Sequence, residues 1–186
     1  MTKRIMLVDD ERSILNALRR MIESKAATEL APFALIPELF DSPIEALQRA
    51  EEVSFDVVLS DYRMPEMTGV AFLTKIKALQ PSAMRMILSG YADLSALISA
   101  INNAQIHLFL AKPWVDAELR AAIVQALVTQ QEKRELEELA DFARVQKGMM
   151  SLHERELKRL AGTNPALARV KWSEDGGVLL EPDDDL

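Results

Sequence analysis

Short apolar runs alternate with stretches of helical periodicity through most of the chain. Ile5-Met-Leu-Val8 reads as a buried strand, and residues 11–23 put Ile14, Leu15, Leu18 and Ile22 on one helical face. Residues 33–40 read as a second strand, in which Pro37 marks an edge or an irregularity because it has no N–H to donate. Ser42-Pro43 supplies an N-cap and a first-turn proline for a helix over residues 43–52. Residues 57–60 form a third strand, and a loop over 62–69 leads into a helix carrying Phe72, Leu73 and Ile76 that stops at Gln80-Pro81. Residues 84–88 make a fourth strand, 92–102 a helix and 107–110 a fifth strand, and Val115 opens the last helix. Apolar strands between amphipathic helices imply a parallel sheet covered on both faces, a doubly wound α/β domain.

The last helix outruns such a domain. From Val115 to Ala161 there is no proline, and only Gly148 weakens the pattern. As one continuous helix those roughly 47 residues would reach about 70 Å at about 1.5 Å each. A heptad frame fits the distal half: Leu136, Ala143, Met150 and Leu157 fall in one core position, and Leu139, Gln146, His153 and Leu160 in the other. That seam suits a coiled coil, although Gln146 and His153 make it partly polar. Beyond Asn164-Pro165, Val170, Trp172, Val178 and Leu180 flank Asp175-Gly176-Gly177 in the manner of a small hairpin. The chain thus divides into a domain over residues 1–130, a helical extension over 131–161 and a tail over 162–186, flexible apart from that hairpin.

Composition narrows the function classes. An apolar content of 49% beside 27% charge is that of an ordinary globular protein, and the absence of cysteine removes disulfides, thiolate nucleophiles and Cys-ligated zinc. No run approaches the roughly 18 apolar residues of a membrane span, and the amino terminus is too short for a signal-peptide core, so a cytoplasmic protein without a membrane is expected. A net charge of −7, partly from Asp183-Asp184-Asp185, speaks against direct nucleic-acid binding.

The chemistry gathers at strand ends. Asp9-Asp10 closes the first apolar run, Asp61 ends the third, Ser89 ends the fourth, and Lys112-Pro113 follows the fifth. In an open α/β sheet, sites form at the carboxyl ends of parallel strands, so these side chains share one small volume. Several carboxylates and one ammonium suit a divalent cation and a phosphoryl group, with Asp61 the candidate nucleophile. Magnesium fits because it prefers oxygen ligands and binds through one or two carboxylates plus phosphate. Lys112 and the Ser89 hydroxyl would offset developing charge on the phosphoryl oxygens.

The ordered set Asp9-Asp10, Asp61-Tyr-Arg-Met-Pro65, Gly69, Ser89-Gly90 and Lys112-Pro113 resembles the receiver domain of two-component response regulators, from Lys3 to about Gln130. The resemblance implies a flavodoxin-like receiver fold with a five-stranded parallel sheet. It makes Asp61 the phospho-acceptor, Asp9 and Asp10 magnesium ligands together with Asp61 and the Arg63 backbone carbonyl, and Ser89 and Lys112 the phosphoryl-sensing pair. Phe109 matches the family's aromatic switch, and the Lys112–Pro113 bond would be cis. The implied partners are a sensor histidine kinase or phosphotransfer protein, a second copy of the chain in a homodimer, and a downstream protein. The reporting face would be residues 92–102, the fifth strand and the last helix. Two features depart from the family pattern: Arg63 lies two residues after Asp61, and the stretch over 25–40 is long.

Each residue also has a plainer reading. Asp9 and Asp10 suit a helix N-terminus, Phe109 suits a core, Trp114 suits packing on the final helix, and His107 suits a strand flank. Glu45-Ala46-Leu47 spells the signature of cyclic-dinucleotide phosphodiesterases, yet it lies in an ordinary helix with nothing else of that domain around it. Three functions compete. The favoured one is a phosphorylation-controlled signalling module, not an enzyme, whose output is protein association through the helical extension. A scaffold using the same fold without phosphorylation is the second. A haloacid-dehalogenase-like phosphatase is the third, and it is disfavoured because Arg63 occupies the place of its general acid.

Overall fold

The computed structural model describes residues 1–24, 30–90, 105–163, 171–172 and 178–179. Five parallel strands form its main sheet: β1 (Thr2–Val8), β2 (Ala34–Phe40), β3 (Val57–Asp61), β4 (Met84–Ser89) and β5 (Leu108–Ala111). Their spatial order is β2-β1-β3-β4-β5, the doubly wound arrangement the apolar runs predict. Pro37 lies in β2 at the sheet edge, opposite Ile5, where its missing donor faces no further strand. The helix expected over 92–102 lies outside the described residues.

Alternation along the strands sorts the side chains between two faces. On one face Ile5, Leu7, Val57, Leu59 and Met86 pack under α1 (Arg12–Glu23) and the first half of a long helix, α4 (Asp116–Gln146). On the other, Met6, Val8, Val58 and Ile87 pack under α2 (Pro43–Glu52) and α3 (Gly69–Leu79). Each fully buried aliphatic side chain contributes about 1.5–3 kcal/mol. The predicted cap of α2 forms: Ser42 Oγ accepts from the N–H groups of Ile44 and Glu45, with Pro43 in the first turn.

Helix α4 crosses the sheet from its site end to its far end. Leu119, Ile123, Ala126, Leu127 and Gln130 are buried on that path. The Gln130 amide then donates to the main-chain oxygens of Asp56 at 3.0 Å and Ser82 at 2.9 Å, just before β3 and β4 begin. Past that latch the helix leaves the sheet, and Leu136 and Leu139 are each 67% exposed.

The single continuous helix expected through Ala161 is not what forms. Helix α4 ends at Gln146, and α5 (Leu152–Thr163) begins after a turn. Gly148 takes φ +69° in the left-handed region that glycine enters freely. Its N–H reaches the Val145 oxygen at 3.0 Å, and the Met149 N–H reaches the Arg144 oxygen at 2.9 Å, which closes the helix in a Schellman motif. Ser151 and Glu154 then start α5 with a reciprocal capping box at 3.0 and 2.7 Å. The heptad frame is therefore interrupted at Met150. Helix α5 doubles back on α4, held by Lys158 to Asp141 at 2.6 Å and by the Arg155 guanidinium 5.5 Å from the Phe142 ring centre. Farther on, β6 (Lys171–Trp172) and β7 (Val178–Leu179) pair antiparallel, while the turn expected between them lies outside the described residues.

Candidate functional site

Strand order reverses between β1 and β3, and at that switch point Asp9 and Asp61 meet. Asp61 is the last residue of β3 and Asp9 follows directly on β1. Lys112, just after β5, reaches across both: its Nζ lies 2.7 Å from Asp9 Oδ2 and also pairs with Asp61 Oδ1. A chain separation of 103 residues closes in one ion triad. The Lys112–Pro113 bond is cis.

The backbone fixes this geometry. The Lys112 N–H donates to the Ser89 oxygen at 2.7 Å, and Tyr62 N–H to the Leu88 oxygen at 3.0 Å, so the ends of β3, β4 and β5 are tied side by side. The Arg63 N–H donates to Asp61 Oδ2 at 2.7 Å, which leaves Asp61 held at both oxygens. Asp9 Oδ1 accepts from the Glu11 N–H at 2.9 Å in the turn before α1, but the N-cap there is Glu11 and has no side-chain cap bond, so Asp9 is not the helix cap of the plainer reading. Gly69 approaches the same place from α3. A Cβ there would stand 2.0 Å from the Asp61 carbonyl oxygen, so only glycine lets α3 start this close to the acid.

Burial sets the electrostatics. Asp9 is 1% exposed and Asp61 8%. Loss of hydration pushes the Asp9 carboxyl above the usual range, although Lys112 and the Glu11 N–H pull it back in part. Burial would lower the Lys112 ammonium, but its hydrogen bonds to Asp61 and Asp9, with their negative charge, outweigh that and raise it. The Lys112 ammonium stays charged at a desolvation cost.

The other expected residues are placed as follows. Ser89 is buried at the end of β4, its Oγ 3.3 Å from the Gly90 oxygen, one backbone bond from Lys112. Asp10 is exposed in the turn before α1, outside the hydrogen-bonded triad. Arg63 is exposed at the rim. Phe109 faces the α2–α3 side of the sheet, half-buried against that core. Among the described residues no three His, Cys, Asp or Glu side chains converge as a closed metal site. Two converging carboxylates with an open rim do fit magnesium, which keeps waters and takes one or two carboxylates plus phosphate.

Sequence reasoning missed the surface beside the triad. Ile14, Pro113 and Trp114, with Asp116, border an open groove of about 550 Å³ that includes Lys112. Trp114 packs against the core as expected, and its Nε1 donates to Asp116 Oδ1 at 3.1 Å, which holds the ring at the groove wall.

Comparison with known proteins agrees with this arrangement. Residues 5–124 match the model of the response regulator receiver domain. The chain is 33% identical over 126 residues to the hydrogenase transcriptional regulatory protein HoxA of Cupriavidus necator, covering 68% of this chain and 24% of that protein. It is 31% identical over 177 residues to the cyclic di-GMP phosphodiesterase response regulator RpfG of Xanthomonas campestris, covering 94% of this chain and 44% of that protein. Among solved structures, the signal receiver domain of an HD domain-containing protein from Pseudomonas fluorescens matches with a TM-score of 0.62 and 32% identity, over 71% of this chain and 99% of that one. The chain spans about a quarter of the length of the first curated relatives it matches.

Proposed function

Because the chain belongs to the response regulator receiver domain family, we propose that Asp61 accepts a phosphoryl group and that the resulting change is read out as protein association. One observation carries the reading: Asp9 and Asp61, from two strands, meet the ammonium of Lys112 in a buried notch with an open rim.

The donor is the phosphohistidine of a sensor kinase or phosphotransfer protein. An Asp61 carboxylate oxygen attacks phosphorus in line as the bond to the histidine nitrogen breaks, so the imidazole leaves with the electron pair. The exposed apolar groove at Ile14, Pro113 and Trp114 gives the donor protein a seat beside the acid. Asp9, Asp10 and Asp61, with the Arg63 carbonyl, are the residues that would hold magnesium. When bound, the ion screens the repulsion between the carboxylates and the incoming oxygens.

Once Asp61 is an acyl phosphate, its carboxyl no longer carries the charge that held Lys112. The ammonium then turns to a phosphoryl oxygen, and the Ser89 hydroxyl closes on the same group. The phosphorylated state is favoured by what it gains in such contacts. Phe109, on β5, follows that movement in this reading.

We assign residues 1–130 to the receiver, 131–161 to the extension and 162–186 to the tail, in a cytoplasmic protein. Among the described residues no helix is long and apolar enough to cross a membrane. The exposed Leu136 and Leu139 on α4 are the proposed surface for a second copy or a downstream protein.

The test is incubation of the chain with acetyl phosphate and magnesium, beside Asp61→Asn. A base-labile phosphoryl group on the wild type alone is expected. If the wild type gains none, the scaffold reading replaces this one. Sedimentation with and without beryllofluoride should show a change in association.

A further inference from the structure

A second polar cavity lies at the opposite end of the sheet. It encloses about 240 Å³ between the start of β4, the residues leading into β5 and the underside of α4. Gln130 lines it and is 1% exposed. The amide cannot be turned around, because its Nε2 already donates to two main-chain oxygens. Its Oε1 is consequently a buried acceptor without a hydrogen-bond partner among the described residues. Buried polar atoms left in that state are rare, and each calls for a partner.

The surroundings are positive. Arg85 is fully buried in the wall, its guanidinium donating to the oxygens of Ala83 at 2.7 Å and Pro81 at 3.2 Å. Lys133 and Arg134 line the α4 side, Glu137 lies beside them, and Arg134 is paired with a second acid, Asp56, at 3.5 Å. His107 Nδ1 accepts the Arg85 N–H at 3.0 Å, which puts the neutral ring's proton on Nε2 as a further donor. Its pKa lies down at about 4, through burial first and then the charges of Arg85 and Lys133.

We propose that this cavity binds a small organic anion carrying its own N–H or O–H donor. The anionic end sets against Lys133 and Arg134, and the donor end satisfies Gln130 Oε1. The volume falls below the roughly 300–1,000 Å³ of pockets for drug-sized ligands, which favours a compact amino acid or phosphate monoester over a nucleotide. Such a ligand would bridge the β4–β5 end of the sheet to the turn where α4 departs. It would stiffen the root of the extension from the side away from Asp61.

Calorimetric titration of the full chain with sulfate, glycerol phosphate and L-aspartate tests this. One of the two donor-bearing probes is expected to bind at least about tenfold more tightly than sulfate, roughly one hydrogen bond's worth. Which of the two does so separates phosphate from carboxylate recognition. Gln130→Met should erase the preference. Because that change also removes two main-chain bonds, exposed Lys133→Ala is the second variant, expected to weaken the preferred probe about tenfold. Absence of binding by every probe would mean a cavity filled by water alone and would overturn the proposal. Equal binding of all three would do the same, as would binding unchanged in Lys133→Ala.

Discussion

Asp9 and Asp141 are each gripped by a lysine, Lys112 at 2.7 Å and Lys158 at 2.6 Å, yet their carboxyls shift in opposite directions. Asp9 is raised because burial at the strand ends outweighs the ammonium. Asp141 is lowered because the hydrogen bond from Lys158 outweighs burial, with Arg144 adding to it. The pairing chemistry is the same, and the scaffold differs. Three strands hold Asp9 away from water with another carboxylate nearby, so its charge is incompletely compensated. Asp141 is also little exposed, but two half-exposed cations, Lys158 and Arg144, already answer its charge. An uneasy ion pair marks a place for chemistry, while a satisfied one marks a brace.

The sharpest way to break that contrast is to remove the lysine at the strand ends. Lys112→Met leaves Asp9 and Asp61 facing each other without their shared cation. Breaking a buried pair from one side costs about 3–5 kcal/mol, and the partial exposure here puts the expectation near about 3 kcal/mol. Urea unfolding of the purified chain measures it, and adding Asp61→Asn should restore part of the loss. A cost below about 0.5 kcal/mol, as for a surface pair, would erase the distinction.

Gly69→Ala probes the same end by volume. Its Cβ would sit 2.0 Å from the Asp61 carbonyl oxygen, so either α3 or the end of β3 must move. Overpacking of this kind costs about 1–3 kcal/mol. Phosphorylation by acetyl phosphate should slow as well, because the displaced backbone carries Asp61, the proposed acceptor. Stability lost with unchanged phosphorylation would mean that α3 alone gives way.

Most of the receiver core was legible because its strands and helices announce themselves locally. Alternating apolar runs ended in Asp9, Asp61 and Ser89, and Ser42-Pro43 wrote its own helix start. The break in the long helix was legible too, in hindsight: Gly148 followed by Ser151-Leu-His-Glu154 is a stop and a start within seven residues. The heptad count hid it, since spacing alone is blind to caps. Other features could not be read at all. Arg85 looks like an interruption in an apolar strand until Ala83 and Pro81 offer their oxygens. Gln130 looks like a surface residue until α4 carries it to the ends of β3 and β4. Both depend on contacts between distant segments.

His107 extends the comparison to the far end of the sheet. With its pKa down at about 4 it stays neutral when folded, whereas the unfolded chain takes up a proton near 6.5. Its contribution is fully present above 6.5 and drains away as pH falls toward 4, by about 2 kcal/mol at pH 5. His107→Gln keeps an acceptor for the Arg85 N–H without titrating. Its stability should fall less than the wild type's between pH 6.5 and 4, and parallel curves would place the His107 ring in water.

Lys158→Ala should have the smallest effect. Lys158 and Arg144 are about half exposed where they pair with Asp141, and they tie α5 to α4 and not to the sheet, so they add little to the sheet's stability. The midpoint of urea unfolding, which reports the sheet, should stay where it is, while amide exchange in α5 speeds up. Acid should do the same to the wild type. The depressed Asp141 pKa means that its bracing contribution holds above the ordinary carboxylate range and is lost as pH falls through the lower folded value. In Lys158→Ala that acid-driven opening should begin at higher pH, because one of the two cations holding the carboxylate ionised is gone. If α5 exchange is as slow in the variant as in the wild type, the hairpin is held by Arg155 on Phe142 and by the turn at Gly148, and Asp141 is a bystander to it.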